Sequence, residues 1–176
     1  MKNIKLLLSA LFIATFSCNN DGDVIKSTND EGSIIRFGGN IIITKAIIDN
    51  TAFPDNAQVG IWGWGHNKNN SEGNMTLRKD LNNSLYTKVA GSNEFTCDAH
   101  AHYPINPDTL LNFYAYYPYT EAATATPLSI PFDLTKQNDI MWATPALNKD
   151  KTTGDNPVNL SFNHILSAIT LKFKKA

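Results

Sequence analysis

The chain has 176 residues, with 15 Lys and Arg against 16 Asp and Glu, for a formal charge of −1 at pH 7. So even a balance offers nucleic-acid phosphates no cationic surface, and nucleic acid is not an expected partner. Cys18 and Cys97 are the two cysteines, so no intrachain disulfide can form if either thiol is used elsewhere.

Residues 1–17 read as an export signal. Lys2 and Lys5 supply a positive start, and Leu6 to Phe16 form an apolar stretch interrupted at Ser9 and Thr15. A membrane-spanning helix needs about 20 apolar residues, so this run is too short to span comfortably. Ser17 is the small residue expected at a cut site, and Cys18 follows it directly. That order suggests a bacterial lipoprotein signal, in which the Cys18 thiol is acylated and becomes the first residue. The plainer alternative is a secretory signal with a bystander cysteine. Residues 18–32 are polar and acidic, too poor in apolar side chains to fold alone, and fit a flexible linker. Loss of Lys2 and Lys5 with the signal moves the formal charge to about −3. The remaining chain, about 160 residues, can bury roughly 70% of its unfolded surface, enough for one domain.

From residue 33 onward, short runs rich in β-branched and aromatic residues alternate with Gly, Pro, Asn and Asp, the all-β pattern. Strands are expected at 34–37, 40–46, 58–64, 85–90, 94–103, 110–117, 128–132, 139–142, 159–162 and 168–174. The eight prolines mostly fall at the ends of these runs, where a missing backbone donor does least harm. The Asn-rich stretch 66–83 reads as a long surface loop, and 149–156 as a second. Strands this short and numerous bury one face each most simply in an antiparallel two-sheet β-sandwich. In the last strand Ile169, Leu171 and Phe173 alternate with Thr170, Lys172 and Lys174, as in a half-buried strand. The chain stops two residues later, which suggests that a second, C-terminal domain is missing.

Five stretches in a fixed order then read together: SIIRFGGNIIITKA (33–46), AQVGIWGWG (57–65), LNFYAYYPYT (111–120), DIMWATPA (139–146) and VNLSFNHILSAITLKF (158–173). Behind a lipoprotein signal, this order resembles the N-terminal half of the fimbrillin-like proteins of Bacteroidetes. The resemblance implies an all-β, Greek-key, transthyretin-like sandwich over residues 33–176, preceded by a signal-peptide helix and the linker. It implies a cell-surface or outer-membrane lipoprotein acting in adhesion or fimbrial assembly. Its partners would be other fimbrial subunits or host and bacterial surface receptors, with the membrane reached through the lipid. It implies neither catalysis nor a cofactor. In such proteins cleavage after an arginine opens a groove that a neighbour's strand fills, and an added strand satisfies a row of backbone groups. The early arginine here, Arg36, falls inside an expected strand and should point to solvent. The strand 168–174, through Ile169, Leu171 and Phe173, is the expected strand-exchange edge.

Individual clusters carry competing readings. In CDAHAH (97–102), Asp98, His100 and His102 would share one face of an extended strand about 7 Å apart, a weak zinc-site candidate. They equally suit the solvent side of a strand whose other face holds Phe95, Cys97, Ala99, Ala101 and Tyr103. Trp62 and Trp64 share a face, and could stack on sugar rings in a surface glycan-binding lipoprotein or pack into the core. His164, with Ser161 or Ser167, lacks a glycine elbow or an evident acidic partner, and reads as a structural histidine. Asp108-Thr109-Leu110 resembles a short O-glycosylation pattern.

Overall fold

The computed structural model describes residues 33–42, 52–69, 74–125, 128–133, 135, 139–153 and 157–165. The export signal, Cys18, the linker, positions 43–46 of the second expected strand, and Ile169, Leu171 and Phe173 lie outside the described residues.

Among the described residues there are eleven strands: β1 (Phe37–Ile42), β2 (Gln58–Asn67), β3 (Thr76–Leu77), β4 (Ser84–Lys88), β5 (Glu94–Thr96), β6 (Thr109–Tyr117), β7 (Thr124–Ala125), β8 (Leu128–Ser129), β9 (Met141–Thr144), β10 (Ala146–Lys149) and β11 (Val158–His164). No α-helix occurs among the described residues, and a 3-10 turn spans Lys79–Leu81. The all-β class is therefore as expected.

The ladders run in the order β6–β9–β11–β1–β5–β4–β2, and β2 then pairs with β6 again, closing seven strands into a barrel-like ring. The closing ladder is also the longest, eight antiparallel pairs from Gly60↔Tyr116 to Asn67↔Thr109. β2 and β6 are the longest strands, so each has room for two partners on its remaining edge. β4 and β3 divide that edge of β2, and β9 and β10 divide that of β6. A small hairpin, β7–β8, pairs with itself and forms no ladder with the ring. These ladders trace one closed sheet rather than two separate ones. Nor is the pairing wholly antiparallel, since β1 and β11 run parallel over six residue pairs.

The interior follows from strand alternation. Val59 and Ile61 of β2, Leu111, Phe113 and Ala115 of β6, and Val158, Leu160 and Phe162 of β11 all point inward and are buried. Phe37 of β1 makes edge-to-face contacts with Tyr86 at 5.1 Å and Phe113 at 5.0 Å, linking three strands across the interior. Phe53, from the segment before β2, meets Phe95, Phe162 and Tyr117 at 4.9 to 5.5 Å. Away from that end, the 3-10 turn drives fully buried Leu81 against Gly63. Each such side chain contributes about 1.5–3 kcal/mol through burial.

Several segments depart from the sequence expectation. The strand expected at 94–103 ends at Thr96, because the chain bends and the Cys97 thiol donates to the Ala99 carbonyl at 3.1 Å. Pairing resumes only as an isolated bridge, Ile34↔His102. The expected loop 66–83 instead carries the end of β2, then β3 and the Leu81 turn. β10, within and ahead of the second expected loop, was not anticipated; its ladder to β6 shifts register around Asn148, whose φ is 56°. Arg36 precedes β1, half-exposed and paired with Glu94 at 2.6 Å. After β10, the Asp150 carboxylate accepts from the Thr152 and Thr153 amides and the Thr152 hydroxyl, and pairs with Lys68 at 3.0 Å.

Two outcomes follow. A Cβ on Gly60 would fall 2.2 Å from the Tyr116 ring, so Gly60→Ala should cost about 1–3 kcal/mol of stability. Urea unfolding should show a lower midpoint at unchanged m-value. The Thr152 hydroxyl, with Lys68, holds the Asp150 carboxyl below its ordinary value. A depressed folded-state value means stability present above the unfolded pKa and lost as pH falls through and below it. Acid titration of the melting temperature should therefore show a decline below about pH 4 that is shallower in Asp150→Asn.

Candidate functional site

The outward positions of β2 and β6 set two indoles and two phenols side by side. Gly60, Trp62, Trp64 and His66 alternate with the inward residues of β2, and Leu110, Asn112, Tyr114 and Tyr116 do the same on β6. Because Gly60 lacks a Cβ, the Tyr116 ring can lie against its cross-strand neighbour and stack on Trp62 at 5.0 Å and 27°. The Tyr116 hydroxyl lies 2.7 Å from Asn83 Oδ1 and 2.9 Å from the Thr120 carbonyl, either of which can accept its proton. It also accepts from the Thr120 amide at 3.2 Å. Burial is the main influence on this phenol and raises its pKa above the ordinary value, with the Thr120 bond opposing.

From this anchor the rings spread along the face. Trp62 meets Trp142 of β9 at 6.5 Å, Tyr114 meets Trp142 at 6.5 Å, and Trp64 meets Tyr114 edge-on at 5.0 Å. Ala123, Ala125, Ile130 and Phe132, from the β7–β8 hairpin and its flanks, cover the Tyr116–Trp62 part. Trp62 and Tyr116 are consequently fully buried, while Trp64, Tyr114 and Trp142 are half-buried. Of the two indoles considered for sugar stacking, only Trp64 presents ring area to solvent. Trp62 is fixed by stacking and area, since its indole N–H meets no acceptor among the described residues.

The other sequence candidates separate. Asp98 and His100 are exposed on the bend after β5, while His102 is half-buried in the bridge to Ile34. The extended alternation that would have aligned the three is broken at Cys97, and they form no ligand group among the described residues. Thr109 opens β6 opposite Asn67. His164 has a partner that the sequence reading missed: its Nδ1 lies 2.7 Å from Asp139 Oδ1. Their separation of 25 positions hid the pair, which forms where β11 ends beside β9. Ser161, however, faces outward and donates to Asn40 Oδ1 at 3.3 Å. The histidine and this serine therefore do not form a nucleophile–base pair.

Ring-closed sheet and aromatic face together define an all-β domain whose most developed feature is a packed, partly open aromatic wall. The fimbrillin-like family profile matches residues 44–176, and the chain belongs to that family. Among solved structures, a candidate cell adhesion protein from Bacteroides uniformis is 23% identical, with a TM-score of 0.43 over 74% of this chain and 48% of its own. A fimbrial protein from Bacteroides ovatus is 17% identical, with a TM-score of 0.38 over 76% of this chain and 28% of its own. The chain thus spans less than half the length of these two structures. No curated protein matches it significantly.

The Tyr116 hydroxyl ties the Thr120 loop, which leads into the hairpin, to Asn83, so Tyr116→Phe should destabilise by about 1–2 kcal/mol by leaving the partly buried Asn83 and Thr120 groups short of a partner. Thermal denaturation followed by tryptophan fluorescence measures this. A melting temperature equal to that of the wild type would show that water replaces the phenol without cost.

Proposed function

We propose that the chain is a non-catalytic cell-surface lipoprotein, a fimbrial subunit or tip-like component that works by adhesion and by strand-mediated association with other subunits. Membership of the fimbrillin-like family over residues 44–176 carries this reading. Residues 1–17, with Cys18 at their end and a polar linker behind it, add an export route and an outer-surface tether. The strand-exchange edge in this proposal is 168–174, where Ile169, Leu171 and Phe173 would pack inward and their backbone would pair with a neighbouring strand. A ring-closed sheet supports an assembly route of this kind. Closure removes the free edges of its central strands, leaving association to terminal or short peripheral strands.

Two experiments check the proposal. Cells grown with labelled fatty acid should transfer label to the wild-type chain and not to Cys18→Ala; equal labelling would remove the anchor. A chain ending at Ser167 should aggregate or capture a synthetic peptide copying 168–174, and Leu171→Asp in the full chain should lower stability by placing a charge where an apolar side chain packs. A truncated chain that stays monomeric, folded and indifferent to the peptide would exclude assembly through this edge.

A further inference from the structure

The aromatic wall continues into a surface of different chemistry. From β6 the sheet runs on through β9 to β11, and neighbouring strands lie about 4.8 Å apart, so these three span roughly 10 Å. Trp142 has Asn163 of β11 as its cross-strand partner, and the other outward positions on these two strands are Thr144 on β9 and Asn159 and Ser161 on β11. The Asn163 amide donates to Thr144 Oγ1 at 3.2 Å and the Ser161 hydroxyl to Asn40 Oδ1 at 3.3 Å, joining three strands by side chains. No Asp, Glu, Lys or Arg occupies an outward position on β2, β6, β9, β11 or β1, although such residues make up 18% of the chain.

We infer that this face binds a neutral glycan, with Trp64, Tyr114 and Trp142 as the stacking platform and the Asn, Ser and Thr side chains of β9 and β11 as the hydroxyl-reading track. A sugar ring has an apolar C–H face, which the electron-rich face of an indole or phenol attracts, and a rim of hydroxyls that both donate and accept. Amides and hydroxyls match that rim because each carries both functions, whereas carboxylates only accept and ammonium groups only donate. Aromatic area beside uncharged donor–acceptor groups therefore suits a polyhydroxylated ligand. An acidic polysaccharide would find no cation on these strands, and an apolar protein helix would leave the amide rows unpaired. The inference deepens the adhesive reading by assigning it a ligand class, and its binding step is measured on purified protein, independently of assembly.

The three tryptophans of the chain, Trp62, Trp64 and Trp142, all belong to this aromatic cluster, so intrinsic fluorescence reports on the face directly. Titration with neutral gluco-, manno- and galacto-oligosaccharides should change the emission with at least one series. Heparin-derived oligosaccharides should leave it unchanged. Trp142→Ala and Asn163→Ala should each weaken binding, measured by calorimetry, by about fivefold or more. Asp98→Asn, on the exposed bend after β5, should not. Circular dichroism of each variant separates lost binding from lost folding, and Asn163→Gln, which keeps the amide, provides a milder second variant. Incorporation into surface fibres, followed separately, distinguishes failure of the glycan site from failure of the assembly reading. Absence of binding to every neutral series, binding unaffected by both alanine variants, or occlusion of the tryptophans by concentration-dependent dimerisation in ultracentrifugation would each overturn the inference.

Discussion

The ladder between β2 and β6 is the constraint on which the remaining architecture depends. Eight consecutive pairs join strands separated by some fifty residues in sequence, and this closure turns an open sheet into a ring. An open sheet would leave rows of unpaired N–H and C=O groups along β2 and β6, inviting further strands. Closure satisfies those groups and encloses a single interior, into which Val59, Ile61, Leu111, Phe113 and Ala115 point from the two closing strands alone. The same pairing necessarily sets the alternate residues side by side on the outside. Interior and aromatic wall are thus two consequences of one register; a shift by one residue would exchange them.

Glycine and tyrosine make the outer wall possible. Gly60 lets the Tyr116 ring approach the backbone more closely than any side chain would permit. Tyr116 then reaches three ways: its ring stacks on Trp62, its edge meets Phe132, and its hydroxyl meets Asn83 and Thr120. The hairpin is thereby seated over one end of the aromatic row and leaves the other end open. The boundary between buried Trp62 and half-buried Trp64 is drawn by that hairpin, not by the strand that carries both.

Function is approached from two directions of unequal reach. Family membership places the chain among fimbrillin-like proteins, a relationship legible in the ordered strand motifs. The surface chemistry is local: Trp64, Tyr114 and Trp142 lie beside Thr144, Ser161 and Asn163, and the strands that carry them hold no Asp, Glu, Lys or Arg. Charge excluded from an exposed sheet face has a physical consequence, because ionic partners gain nothing there while stacking and neutral hydrogen bonding remain. His164 and Asp139, paired at 2.7 Å, belong to the seam between β9 and β11 rather than to this face.

By itself, the sequence determined the strand class and most strand centres, since alternation of apolar and polar residues is a local property that survives without knowledge of neighbours. It also located Trp62 and Trp64 on one face, because side chains alternate along any extended strand. Where a local competitor existed, that reading failed: Cys97 turning back to Ala99 ended a strand that the alternation of residues 94–103 would have continued. β3, β10 and the Leu81 turn were hidden within Asn-rich or mixed stretches whose structure comes from pairing with β2 and β6. Tertiary structure alone decided the ring in place of two sheets, the parallel β1–β11 pair, the burial of Trp62 beneath the hairpin, and the joining of aromatic and amide rows into one face. Each of these depends on which strands become neighbours, and strand neighbours are chosen by contacts between residues far apart in the chain, which no local pattern encodes.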